Sequence, residues 1–247
     1  MITRLTFFAY GLVSYLIFFA TFCYAIAFVG GFGVPAQLDG APTGPLGTSL
    51  AIDVLLLSVF AVQHSVMARP WFKRWWTQIV PQEIERSTYV LLASLCLILM
   101  FWQWRPLGGV VWSVENPAAR AAVWTMFAAG WGLVLLATFL INHFDLFGLR
   151  QVWLQLVGER YSNVHFVVRG PYRVTRHPLY LGFVLAFWAA PTMTWSHLAF
   201  ALITTAYILV AIQLEEHDLI GEHGNAYEDY RRRVPMLIPV AAPRARR

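Results

Sequence analysis

Charged side chains fall in clumps along this chain, with long uncharged stretches between the clumps. No Asp, Glu, Lys or Arg lies between Arg4 and Asp39, Arg86 and Arg105, Arg120 and Asp145, or Arg176 and Glu215. About 20 apolar residues carry a helix across the hydrocarbon of a bilayer, and each gap holds at least one such run. The pattern predicts spans over residues 6–29, 48–67, 87–104 and 121–143, the second with Asp53 and His64 inside it. The gap from His177 to Leu214 is too long for one helix and short for two full crossings. Pro191 and the polar residues 192–197 divide it, so it reads as a hairpin of two short or tilted helices.

A soluble helical bundle would show polar faces at helical spacing, and these runs have none. The first run is too long for a signal peptide and lacks a small-residue cleavage site. The expectation is an all-α polytopic membrane bundle of four spans plus a C-terminal helical hairpin, five to six membrane helices in all, with both termini cytoplasmic. Residues 1–247 form one domain. Residues 1–144 make the four-span part, and residues 145–247 add a cytoplasmic loop, the hairpin and a tail.

Composition agrees: 58% of the 247 residues are hydrophobic and 13% charged, against about 25% charged in soluble domains. The basic residues test the topology, since they collect in cytoplasmic loops. With the N-terminus inside, Arg4, Arg69, Lys73, Arg74, Arg86, Arg150, Arg160, Arg169, Arg173, Arg176, Arg231, Arg232, Arg233, Arg244, Arg246 and Arg247 share one side. Of the 18 Lys and Arg, Arg105 and Arg120 fall opposite. The net charge of +5 then reflects topology and anionic lipid heads in the bilayer, and calls for no nucleic-acid partner. Trp71, Trp75, Trp76, Trp102, Trp104 and Trp112 lie near span ends, as interfacial anchors do. The Gly- and Pro-rich residues 30–47 read as a flexible or lid-like outer loop. Cys23 and Cys96 form no ligand-spaced pair, so neither disulfide nor metal is indicated.

The chemistry gathers in the last third. Residues 169–182 read Arg-Gly-Pro-Tyr-Arg-Val-Thr-Arg-His-Pro-Leu-Tyr-Leu-Gly and lead into the final apolar run, which ends at Glu215-Glu216. Both flanks of that run lie on one side of the membrane and must be close. Ionisable groups cut into the ends of membrane helices are costly and usually functional. Pro178 fits a first helical turn, whose free amides with Arg176 suit a carboxylate. Gly182 allows close approach of a ligand or a neighbouring helix. Two acids near a helix C-terminus oppose the helix dipole, which points to a cationic or hydrogen-bond-donating ligand. Any one of these residues alone reads as an interfacial anchor; their joint spacing favours a site.

Arg176-His177-Pro178-x-Tyr180-x-Gly182, then Glu215-Glu216, Tyr227-x-x-Tyr230 and Val234-Pro235, resemble the signature of integral-membrane methyltransferases. That group includes the isoprenylcysteine carboxyl methyltransferases and phospholipid N-methyltransferases. Residues 63–70, 142–151 and 167–182 resemble its nurim-related branch, and within it the bacterial methanethiol S-methyltransferases, over nearly the full length. The resemblance implies S-adenosylmethionine as cofactor, held by Arg176, His177, Pro178, Tyr180, Gly182, Glu215, Glu216, Tyr227 and Tyr230. It implies methylation of a small thiol, methanethiol to dimethyl sulfide, by in-line displacement. Charge is cancelled in that transition state, so a dry site favours it, and thiolate is the better nucleophile. His64, His143 and Asp145, near the inner span ends, are the candidates for base or thiol positioning. Asn142 is expected to orient His143, and Asp145 to steer its imidazole. His64 and His143 also fit as structural helix-end residues bonded to carbonyls. Methylation of a lipid or isoprenylcysteine is the alternative activity. Sterol reductases share this C-terminal arrangement but have more spans. A nurim-like protein without activity would not need both the cationic and the acidic sets. Asp53 lies deeper and is expected to pair with the first span or line a cavity.

Overall fold

The computed structural model describes residues 1–162 and 168–239. Arg244, Arg246, Arg247 and Val167, used above for topology and resemblance, lie outside the described residues. The chain forms α1 (Ile2–Gly30), α2 (Leu46–Ala68), α3 (Pro70–Trp76), α4 (Gln82–Gln103), β1 (Val110–Ser113), α5 (Pro117–Ile141), α6 (His143–Leu146), α7 (Leu149–Val157), α8 (Pro178–Trp188), β2 (Thr192–Thr194), α9 (Trp195–His223) and α10 (Asn225–Arg233). Five helices, α1, α2, α4, α5 and α9, are long and apolar enough to cross a bilayer. Leu16, Phe19, Leu55, Val62, Trp102, Leu136, Phe139 and Val210 point outward, as lipid-facing residues do. The protein is a multi-pass integral membrane protein.

The expected hairpin of two short or tilted helices is asymmetric. α8 has 11 residues, about 16 Å at 1.5 Å per residue, roughly half of the hydrocarbon thickness. α9 has 29, about 43 Å. Between them the chain runs extended, and β2 pairs antiparallel with β1, Trp112 opposite Met193 and Ser113 opposite Thr192. The extended segment completes the distance that α8 leaves short. The turns joining α2 to α4 and α5 to α8, the start of α1 and the end of α9 therefore share one end of the bundle. Among the described residues, Arg105 and Arg120 are the basic side chains at the other end.

At that other end the residues after α1 do not form a loose lid. Leu38 is fully buried, its carbonyl accepts from the Trp104 indole at 3.0 Å, and its amide donates to the Phe28 carbonyl at 3.1 Å. Trp104 is thus a core residue rather than an interfacial anchor, whereas Trp71, Trp75, Trp102 and Trp112 are exposed. Asp39 accepts from the Thr194 hydroxyl and lies 3.0 Å from His197 Nδ1. Asp53 accepts from the Arg105 amide at 2.9 Å, so its partner is the end of α4 and not the first span. Phe28, Phe101, Phe127, Trp131, Ala186 and Phe200 join these elements in the main apolar core.

α5 and α8 make the most extensive helix–helix contact. A Cβ on Gly182 would come within 2.7 Å of the Gly130 carbonyl oxygen and 2.9 Å of the Val134 amide nitrogen. One on Gly130 would meet the Ala186 amide nitrogen at 2.7 Å. Backbone cannot yield as a flexible side chain can, and small residues are what let membrane helices approach this closely. Gly182→Val should therefore separate α8 from α5 and destabilise the protein by about 1–3 kcal/mol, the usual range for overpacking. Thermal unfolding in detergent, with Leu181→Val as the control, measures it.

Candidate functional site

The flank before α8 and the tail after α9 close on one carboxylate. Glu216, seven residues before the end of α9, has a side chain 3% exposed, and that of Arg176 is 9% exposed. Arg176 Nε donates to Glu216 Oε1 at 2.7 Å. His177 Nε2 lies 3.0 Å from the same oxygen, and a carboxylate there requires the nitrogen to donate. Arg231 Nε reaches Oε2 at 3.1 Å. The second arm of Arg176 donates to the carbonyls of Arg231 and Val234 at 2.9 and 2.6 Å. Charge-assisted bonds of this kind are the stronger class.

Backbone bonds continue the seam. The amides of Arg176 and His177 donate to the carbonyls of Pro235 and Met236 at 2.9 and 3.2 Å. The Thr175 hydroxyl also donates to Met236 at 3.0 Å, and the Tyr230 hydroxyl to the Tyr172 carbonyl at 2.7 Å. Pro235, whose ring nitrogen cannot donate, offers only its carbonyl.

Glu215 and Glu216 therefore differ. Glu216 is saturated by the protein's own cations, so the dipole argument for an external cation does not require it. Glu215 is 42% exposed, with His177 Nδ1 4.0 Å away, and shares a hydrogen bond with Tyr180. Tyr172, Tyr227 and Tyr230 complete the surroundings. Burial first, then Glu215, holds Tyr172 above the usual phenol range. Burial first, then Glu216 and Glu215, does so for Tyr227, and burial pushes Tyr230 up to about 12. These phenols stay neutral donors at physiological pH. The Tyr172 hydroxyl is buried without a hydrogen-bond partner among the described residues. Pro178 is the buried first residue of α8, whose N-terminus has no side-chain cap among the described residues, leaving first-turn amides without a helical partner. Gly182 faces α5, so its part is the helix-packing one.

The three inner-end candidates have separate surroundings. His143 is buried, with Nε2 2.9 Å from the Tyr15 hydroxyl and Nδ1 2.8 Å from the Thr138 hydroxyl. Its ring stacks on Phe139 at 4.2 Å, and burial lowers its pKa. Asp145 pairs with Arg150 at 2.9 Å and accepts from Tyr161 at 3.3 Å. Asn142 accepts from the Asp145 amide and does not bond to the imidazole. His143 and Asp145 thus have different partners. His64 lies between Phe60 and Tyr89, with the Tyr89 hydroxyl 3.0 Å from each of its ring nitrogens.

The sequence does not single out Arg231 and Tyr172, which the structure places at the seam, or Tyr89 and Tyr207, which contact His64 and Ser65. Arg231 counts in the sequence as topological charge; its position next to Tyr230 on a strongly amphipathic helix is the signal that marks it. Tyr89 and Tyr207 carry no local signal, because apolar runs surround them. A cavity of about 120 Å³ lies at the far end, lined by Asp39, Arg120, Trp124, Phe127, Pro191 and His197 among others, away from the flanks.

The phospholipid methyltransferase family matches residues 122–223. The chain is 56% identical to a methanethiol S-methyltransferase of Mycobacterium tuberculosis, over 93% of this chain and 94% of that protein. It is 53% identical to one of Crocosphaera subtropica, over 93% and 90%. Nurim of Mus musculus is 30% identical over 69% of this chain and 68% of its own length. No solved structure matches.

Two outcomes test the seam. Glu216→Gln leaves buried Arg176 without its anion and should cost about 3–5 kcal/mol, the range for breaking a buried pair, read as a fall in Tm. Tail docking should hold up to pH 10, the ordinary value of a phenol. It should weaken from there toward 12, because the freed Tyr230 ionises while the docked one stays neutral. Limited proteolysis after α10 across that window follows it, and Tyr230→Phe should shrink the pH step, leaving the part that Tyr227 and Tyr172 contribute.

Proposed function

This chain belongs to the methanethiol S-methyltransferase family, and from that premise we propose that it methylates methanethiol to dimethyl sulfide with S-adenosylmethionine as donor. The observation that carries the reading is Glu215, half-exposed between Tyr180 and His177 beside the seam that joins the two hairpin flanks. A sulfonium nucleoside presents an amino-acid carboxylate, an ammonium, ribose hydroxyls and a net positive charge. The residues present suit those groups. The free first-turn amides of α8 suit the carboxylate. Glu215 suits the ammonium or the ribose. The orphaned Tyr172 hydroxyl supplies a buried polar atom in want of a partner.

In this reading Arg176, His177, Glu216 and Tyr230, with Arg231, form the wall. Tyr180, Glu215, Tyr227 and the Pro178 turn face the donor, and Gly182 sets the depth of α8 against α5. When bound, the donor supplies an electrophilic methyl group. The chain's own groups position the acceptor in line with it, exclude water and take a proton. The neutral tyrosines bind without adding a negative charge that would favour the cationic ground state. The flanks lie on the cytoplasmic side of a bacterial inner membrane, supported by the basic residues gathered at that end of the bundle. The match to phospholipid methyltransferases over residues 122–223 makes a lipid acceptor the second reading.

Purified protein given labelled S-adenosylmethionine and methanethiol should release labelled dimethyl sulfide into the headspace. Glu215→Gln should weaken donor binding about tenfold or more while leaving the tail docked. Donor binding without volatile product, with label appearing in phospholipid, would move the assignment to the second reading. Absence of donor binding would overturn both.

A further inference from the structure

We infer that His64, Ser65, Tyr89 and Tyr207, backed by Phe60, form the thiol subsite, with His64 as the proton acceptor. This rests on the methyl-donor reading of the adjoining flanks and extends it to the acceptor.

The cluster joins three helices one to two turns inside the inner end of the bundle. His64 and Ser65 lie four and three residues before the end of α2, and Tyr89 lies in the second turn of α4. Tyr207 on α9 is eight residues, about 12 Å along the axis, before Glu215. The Ser65 and Tyr207 hydroxyls are 3.0 Å apart, tying α2 to α9. The Tyr89 hydroxyl ties α4 to His64. Tyr180, already bonded to Glu215, lies within electrostatic reach of both Tyr207 and Tyr89. It links the cluster to the donor flank.

The geometry at His64 leaves one nitrogen for a third group. The phenol oxygen lies 3.0 Å from both ring nitrogens and its O–H reaches the His64 carbonyl at 3.4 Å, so the oxygen accepts from the nitrogen that bears the ring N–H and the other nitrogen keeps its lone pair. His143, the other candidate, has a separate hydroxyl at each nitrogen and no such vacancy for a substrate proton. Phe60 stacks near the His64 ring at 5.1 Å and meets Tyr207 edge-on at 6.4 Å, giving a polar edge backed by aromatic faces. Sulfur packs well against aromatic rings, and an alkyl group of one carbon needs little more. Arg69 and Arg86 are the nearby cations at His64, and Tyr207 and Glu215 the further titratable groups facing Tyr89.

The thiol S–H proton passes to the free nitrogen of neutral His64, and the bonding pair stays on sulfur. The thiolate then forms its new S–C bond as the methyl–sulfonium bond of the donor breaks, with that pair remaining on the donor sulfur. The proton leaves His64 for water at the inner end, so charge and atoms balance.

The test uses the full chain in nanodiscs, with binding of S-adenosylhomocysteine followed by calorimetry and contact with ethanethiol by saturation-transfer NMR. His64→Asn should lower kcat by about a hundredfold, the order expected for a general base. Tyr89→Phe should raise the methanethiol KM several-fold. Phe60→Ala should raise the kcat/KM ratio of propanethiol to methanethiol by about tenfold, the order of discrimination one or two methylenes give. All three should bind S-adenosylhomocysteine within about twofold of wild type, and Phe60→Ala should change the ethanethiol signal. Unaltered thiol kinetics, size preference and ethanethiol signal in variants that still bind S-adenosylhomocysteine would overturn the subsite. If the wild type binds no S-adenosylhomocysteine, the donor reading fails instead. The ethanethiol signal and its response to Phe60→Ala still decide the subsite.

Discussion

A carboxylate cannot stay buried at the end of a membrane helix without cations beside it, and Glu216 has two, Arg176 and Arg231, together with an N–H of His177. Desolvating these groups separately would cost several kcal/mol each. The seam therefore forms as a unit, bringing the chain before α8 and the chain after α9 to one place. Arg176 Nη1 donates to the carbonyls of Arg231 and Val234, and those bonds fix where the tail runs. The exposed character of Glu215 follows. With Glu216 committed inward, its neighbour one residue earlier is turned about 100° around the helix, toward Tyr180 and His177.

The lengths of α8 and α9 explain why the acids stand where they do. From Trp195 to Glu216 the helix rises about 31 Å, close to the hydrocarbon thickness. Glu215 and Glu216 thus arrive at the membrane edge and not within it. The short α8 is tolerated because the extended residues after it reach the outer end, where β2 finds hydrogen bonds on β1. Irregular backbone at such depth persists only where protein satisfies its polar groups. The Gly130–Gly182 contact holds α8 close enough to α5 for its N-terminus to stay at the inner edge.

Much of the bundle was legible in the sequence, for a simple reason. Lipid imposes a one-dimensional rule on span length and charge, so the four N-terminal spans read within a few residues of α1, α2, α4 and α5. What was not legible depended on contacts across helices. Nothing local separates Trp104, a core residue just past the end of α4, from Trp102, a lipid-facing one in its last turn. The loop with Leu38 looked open because Gly and Pro dominate it, yet one leucine carries it into the core. The hairpin was legible, but Pro191 marks its break without telling which side keeps the longer helix. In the site, the motif residues converge on Glu216 and Glu215, but the division of labour between two adjacent glutamates is set by which one Arg176 and Arg231 reach. The same limit applies to Asp145 and His143: a spacing of two residues put them together on paper, while Arg150 and Tyr15 claim them separately.

At the inner end of the bundle the polar seam adjoins apolar helix faces, and this matches what the proposed chemistry demands of a membrane edge. A charged nucleoside enters from water and needs Glu215, the phenols and free amides at the flanks. A neutral thiol and a neutral thioether partition toward apolar surroundings, and need only a slot bordered by Phe60, Tyr207 and Tyr89. The reaction converts a cation and a thiolate into two neutral thioethers, so each step away from water favours the transition state over the separated ions. A site placed deeper would lose the donor to desolvation, and one placed further out would hydrate the nucleophile. Tyr180 links the two environments, bonded to Glu215 on the wet side and within electrostatic reach of Tyr207 and Tyr89. The boundary between donor and acceptor would then lie at that side chain.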